Sequence, residues 1–189
     1  SAKFHFQANQ FHRVNFMILG ANDAALADML TALKNSQASQ EDASDPGKSP
    51  VALEIPGISK LTLDWWLVPE RKYKSKFKLW AGQQTTLKIV KDMLAADWGD
   101  LGNDVLSFRL PMSGRFGLDP RSAWNALDFG SSPNTQNRDA FTYPVAEMLA
   151  AVGLQGFRPT ANGRRSFSYW LWEQPLPLVP ARAAAAGAL

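Results

Sequence analysis

The chain contains no cysteine and only two histidines, His5 and His12, in 189 residues. The first absence excludes disulfides, thiolate zinc sites, iron–sulfur clusters and a cysteine nucleophile together, and it favours a reducing compartment. The second leaves little room for Ser-His-Asp chemistry: one of two histidines near the start would have to meet a distant serine, without a nucleophile-elbow signature to hold it. Neither a P-loop nor a dinucleotide fingerprint occurs. No apolar run approaches the roughly 20 residues that cross a bilayer, and the apolar stretch at 16–20 is too short for a signal-peptide core. A soluble, cytoplasmic protein with no cofactor, no metal and no membrane partner is therefore expected. The central carboxylates Asp64, Asp119 and Asp128 are not spaced to share a helical face or to flank a histidine, which speaks against a metal-dependent nuclease and against an enzyme of any kind.

Apolar residues make up 46% of the chain and charged residues 20%, enough for the core of one domain or of a large fragment of a bigger subunit. The formal charge is only +3, but it is unevenly spread. Residues 54–91 carry Lys60, Arg71, Lys72, Lys74, Lys76, Lys78, Lys88 and Lys91 against Glu54, Asp64 and Glu70. Residues 23–45 carry Asp23, Asp28, Glu41, Asp42 and Asp45 against Lys34 alone. Such polarity orients a protein on a polyanion.

Periodicity predicts an α+β fold, a mainly antiparallel sheet with several helices packed on it and long functional loops. Short strands are expected at 3–7 and 16–19, and a helix from Asn22 and Asp23 to about Asn35 places Leu26, Met29, Leu30 and Leu33 on one face. Residues 36–50 have hardly an apolar side chain and read as a flexible loop joining two halves of one domain. Two strands at 60–68 and 76–80 are expected to flank a basic hairpin, followed by a helix within 83–98 and a strand at 105–110. Residues 113–138 are rich in Gly, Pro, Asn, Ser and Arg and long for a plain connection, the mark of a functional loop. Pro144 starts a helix that Gly153 is expected to close, residues 166–173 read as a strand, and the alanine-rich tail from 179 is helix-prone.

Three constellations carry binding chemistry. In the basic hairpin, extended backbone places Lys72, Lys74, Lys76 and Lys78 on one side, where they meet successive phosphates; an edge-protecting lysine run is the alternative reading. Trp65 and Trp66 must point to opposite faces of a strand, so Trp66 is available to stack on a base, while Gln83 and Gln84 stand where a strand turns into a helix and their amides reach a phosphate or a base edge. Turn formation, with both tryptophans packed, accounts for the same residues. The third lies in 114–138, where Arg115, Arg121, Asn125, Asn134 and Arg138 surround Trp124 and combine fork-shaped donors with a stacking surface. Pairing of Arg115 or Arg121 with Asp119 or Asp128 is the structural alternative.

These residues also resemble a known family. Asp64-Trp65-Trp66-Leu67, then Leu79-Trp80-Ala81-Gly82-Gln83-Gln84, then Phe116-Gly117-Leu118-Asp119, Ala123-Trp124-Asn125-Ala126-Leu127-Asp128 and Ser132-Pro133-Asn134 are similar to a CRISPR-associated family of type I-G loci, formerly type I-U. The likeness continues through 144–149 and Gly153-Leu154-Gln155-Gly156-Phe157-Arg158-Pro159. The resemblance implies a large-subunit-like component of an RNA-guided, Cascade-like antiviral effector complex. Such a subunit binds guide RNA or target DNA beside other effector subunits, while a separate helicase-nuclease cuts. Segments expected at both flanks of the family pattern are missing here, which points to a fragment of a larger subunit. A scaffold that touches only other protein subunits, its tryptophans forming an interface, is the competing expectation.

Overall fold

The computed structural model describes residues 23–42, 50–64, 84–99, 101, 104–122, 140–162, 166–168, 170, 172 and 176–187. The fold class is α+β, as the periodicity predicts. Helix α1 spans Asp23–Lys34 and buries Leu30 and Leu33, two members of its expected apolar stripe. The expected strands at 3–7 and 16–19 and the strand at 76–80 lie outside the described residues.

The loop expected at 36–50 is corrected at its start. Gln37–Gln40 forms strand β1, antiparallel to β2 (Val51–Ile55), with Ala38 opposite Leu53 and Gln40 opposite Val51. A four-residue strand with so little apolar character has no local signal; the partner strand recruits it, and among the described residues it forms the edge of its sheet. Strand β2, which the sequence reading missed, is central and nearly inaccessible, with Val51, Ala52 and Leu53 all buried. Its other neighbour is β3 (Ser59–Leu63), reached through a turn in which Gly57 takes a left-handed φ of 74°. Thus β3 pairs with the strand before it, and the expected pairing with the segment at 76–80 lies outside the described residues.

Helix α2 (Thr86–Ala95) starts at Thr85, whose hydroxyl accepts from the Lys88 amide at 3.1 Å, and buries Ile89, Val90, Met93 and Leu94. Its carbonyl end is closed from another element: Lys34 at the end of α1 donates to Leu94 O at 2.6 Å and also to Ala96 O. The same ammonium sits 5.5 Å from the ring centroid of buried Trp98, whose indole donates to Met93 O. A cation at a helix C-terminus complements the orphan carbonyls there. Burial lowers the Lys34 pKa, with Asp97 acting in the opposite direction.

The strand expected at 105–110 is displaced. Asp104 adopts a left-handed φ of 50° and accepts from Ser107 N, which winds Val105–Ser107 into a single 3-10 turn. Strand β4 follows at Leu110–Met112 and pairs antiparallel with β5 (Ala140–Thr142). Helix α3 (Pro144–Gly156) runs past Gly153, the expected stop: a mid-helix glycine only weakens a helix, and the Phe157 amide still bonds to Gly153 O. Strands β6 (Thr160–Asn162) and β7 (Ser166–Ser168) form a hairpin, so the strand expected at 166–173 is shorter. Helix α4 (Leu178–Ala185) occupies the alanine-rich tail. After it Gly187 has a φ of 73°, and any Cβ there would collide with the indole of Trp170.

One apolar cluster joins α1, β2, β3, α2, Trp98, Val105, Met112, Phe116 and α3. Helices α2 and α3 touch each other, α2 leaning on β1 and α3 on β3. Among the described residues no helix is long and apolar enough to cross a membrane.

Candidate nucleic-acid interface

The antiparallel register of β4 and β5 sorts their side chains. Leu110 faces Thr142 and Met112 faces Ala140, with Thr142 and Met112 buried; Pro111 faces Phe141, and both are exposed. By the two-residue repeat of a strand, Arg109 and Tyr143 continue the outward row. Arg109 lies over Phe141, its guanidinium carbon 5.0 Å from the ring centroid, and Arg121 lies over Tyr143 at 3.9 Å. Two cation–aromatic pairs therefore occupy one face of the antiparallel β4–β5 pair.

The second pair is braced from below. Arg121 donates through Nε to both carboxylate oxygens of Asp119, at 3.0 and 3.1 Å, and through a terminal nitrogen to Asp119 Oδ2 at 2.6 Å and Leu106 O at 2.7 Å. Burial pushes the Asp119 carboxyl up, but the hydrogen bonds and charge of Arg121 together outweigh it and hold the group below its ordinary range. Asp119 raises the pKa of Arg121 in turn, with smaller contributions from Tyr143 and Asp104.

Asp119 is itself fixed by a residue that sequence reasoning missed. Glu147, in the first turn of α3, is fully buried and accepts from the amides of Phe116 at 3.0 Å and Asp119 at 2.8 Å. Gly117 lies between them with a φ of 75°, the left-handed conformation that bends the loop around the carboxylate. Burial pushes the Glu147 carboxyl up; the loop amides oppose this, and the Asp119 charge adds to it. The Ser122 hydroxyl donates to Asp119 O at 2.8 Å and closes the Pro120–Ser122 turn. A chain of contacts thus runs from the core through Glu147, Asp119 and Arg121 to Tyr143 on the surface.

Of the residues singled out in the sequence, Lys72, Lys74, Lys76, Lys78, Trp66, Gln83, Asn125, Asn134 and Arg138 lie outside the described residues. Gln84, Arg115 and Arg121 lie within them. Gln84 donates its side-chain amide to Ser113 O at 2.8 Å, tying the start of α2 to the loop after β4. Arg115 is half-buried beside Phe116. Arg121 takes the structural alternative, pairing with Asp119. Asp64 is held elsewhere, by Arg158 at 2.5 Å, and among the described residues no three acidic or histidine side chains cluster to hold a metal ion.

No family model, curated protein or solved structure matches the chain.

The site rests on its own chemistry. Phe141 and Tyr143 were legible only as Phe141-Thr142-Tyr143, an outward–inward–outward alternation ahead of Pro144, and Arg109 had no signal of its own. Glu147 was legible as an acid next to Met148 and one turn before Ala151, within the buried stripe of α3.

Proposed function

We propose that the chain is a non-catalytic, nucleic-acid-binding subunit of an RNA-guided CRISPR effector complex, acting in the cytoplasm on guide RNA or target DNA beside other effector subunits and a separate helicase-nuclease. The observation that carries the reading is the outward face of β4 and β5, where Arg109 lies over exposed Phe141 beside the Arg121–Tyr143 pair that Asp119 braces. Planar guanidinium groups and aromatic rings supply the phosphate-directed donors and stacking surfaces that single nucleic-acid strands use. The lysine run at 72–78 adds sequence-independent attraction to a polyanion, and the ordered series of segments similar to type I-G proteins supplies the biological setting.

The test is the affinity of the full chain for single-stranded RNA, single-stranded DNA and duplex DNA across a salt series, beside a variant with Lys72, Lys74 and Lys76 changed to Ala. The logarithm of affinity should fall linearly with the logarithm of salt, and the variant should lose about 2 units of slope on single strands if all three lysines meet phosphates. A folded chain that binds none of the three ligands at low salt defeats the reading. A scaffold role is the second reading, favoured by the exposure of Trp170, Leu178 and Val179 at 55%, 56% and 75%. It is tested by association with purified effector subunits that persists as salt rises.

A further inference from the structure

The geometry points to a stacking site for one unpaired nucleobase on the exposed part of the Phe141 ring, with Arg109, which lies over the same ring, placed to meet the adjoining phosphate. The inference rests on the nucleic-acid reading above and narrows it to single strands.

A lone exposed phenylalanine means little, because folded proteins leave many apolar side chains in water. Phe141 is different in what surrounds it. The ring is 54% exposed on the outward face, opposite exposed Pro111, while the next residue, Thr142, is fully buried and fixes which way the strand faces. Arg109 lies 5.0 Å from the ring centroid and has no carboxylate partner among the described residues. Arg121, by contrast, spends its charge on Asp119 and feels Asp104 as well, so among the described residues the arginine of this face without an acidic partner is Arg109.

The neighbouring position on the same face is Tyr143, about 6.6 Å along the strand. It is covered by Arg121 at 3.9 Å, and Arg121 is held in turn by Asp119 and the Leu106 carbonyl. Phe141 therefore stands next to a braced wall, and a base that stacks on it meets a surface needing little reordering. A base can lie on this ring only after leaving its own helical stack, so the site favours unpaired strands, whereas a duplex offers it phosphates alone.

The experiment measures binding of the full chain to a 12-nucleotide single strand carrying 2-aminopurine, as DNA and as RNA, and to the matching duplex, for the wild type, Phe141→Ala, Phe141→Tyr and Arg109→Ala. Phe141→Ala should weaken single-strand binding roughly 5- to 150-fold, the range of one lost base stack, and abolish the 2-aminopurine signal. Its duplex affinity should stay within about twofold, since duplex binding is dominated by the phosphate backbone. Phe141→Tyr, which keeps a ring, should retain both affinity and signal, and Arg109→Ala should lower the salt slope by about 1. Single-strand binding by Phe141→Ala equal to that of the wild type overturns the site and leaves the nucleic-acid reading standing. Absence of binding by the wild type to every strand overturns both. If Phe141→Ala instead releases the chain from an effector subunit while single-strand affinity is unchanged, the face is a protein interface and the stacking site is wrong.

Discussion

The carboxylate of Glu147 accepts a hydrogen bond from the backbone of Asp119 at 2.8 Å, and with it the buried start of α3 fixes the residue that in turn fixes Arg121. The loop around Glu147 pairs with no strand among the described residues, and the carboxylate accepts from two of its amides. Replacing Glu147 by Ala leaves the Phe116 and Asp119 amides without this acceptor and opens a cavity among packed side chains. Each unsatisfied buried donor costs about 1–3 kcal/mol, which puts the expected loss at about 2–5 kcal/mol. Glu147→Gln keeps the shape and one acceptor oxygen and should lose less. Urea denaturation of the two variants against the wild type measures both.

Two carboxyls in direct sequence of contact are shifted in opposite directions, and their effects on stability run oppositely with pH. Glu147 has a folded pKa above its ordinary 4.5, so around and above that value the folded chain binds more protons than the unfolded one. Its contribution is therefore fully present below pH 4.5 and is lost as pH rises through the folded value. Asp119 has a folded pKa below 3.8; its contribution is present above 3.8 and is lost as pH falls through the folded value. Unfolding free energies of wild type, Glu147→Gln and Asp119→Asn between pH 3 and 8 should show this. The wild type should lose ground to Glu147→Gln as pH rises past 4.5, and its advantage over Asp119→Asn should shrink at the acid end. Parallel curves for all three would contradict both assignments.

Arg121 looks in the sequence like a free phosphate ligand, flanked by proline, serine and a nearby tryptophan. Its contacts make it a brace. The Arg121→Ala change should cost about 1–2 kcal/mol of stability, a moderate figure because 43% of the side chain is exposed and water screens its pairing with Asp119. The salt slope of nucleic-acid binding should hardly change, since the charge is already compensated by Asp119. A slope reduced by about 1, as for Arg109→Ala, would show that Arg121 leaves Asp119 to meet a phosphate.

The helices were legible because each carries its own evidence: Leu30 and Leu33 at helical spacing in α1, Thr85 as a cap for α2, Pro144 at the first position of α3. Strand β1 was not, because Gln37-Ala38-Ser39-Gln40 becomes a strand only through its pairing with β2. The turn at 105–107 hid behind a run of apolar residues, since the left-handed Asp104 that starts it leaves no periodic trace. At the site, composition singles out the loop at 113–138, of which 123–138 lie outside the described residues. The aromatic half of the face was overlooked because Phe141 and Tyr143 come after that loop, Phe141 meeting Arg109 only across the β4–β5 pair and Tyr143 meeting Arg121. Long-range pairing, more than local propensity, decides which arginines and rings share a surface.

The same principle links two segments far apart in the chain. Asp64, which opens Asp64-Trp65-Trp66-Leu67, accepts from Arg158 at 2.5 Å and donates its amide to the side-chain oxygen of Gln155 at 3.0 Å, 91 positions away. Gln155 and Arg158 belong to Gly153-Leu154-Gln155-Gly156-Phe157-Arg158-Pro159, where Phe157 also stacks on Trp172 with centroids 6.3 Å apart. Both charged side chains are nearly half exposed, at 42% for Asp64 and 47% for Arg158. A double-mutant cycle with Asp64→Asn and Arg158→Gln should therefore return a coupling of about 0.2–1 kcal/mol that shrinks further in 1 M salt. Gln155→Ala, which removes the acceptor of a half-buried backbone amide, should cost about 1 kcal/mol independently of salt. The contrast between the two responses separates a pairing of charges from a neutral latch, and a salt-insensitive coupling above about 3 kcal/mol would mean that the Asp64–Arg158 pair is desolvated in solution.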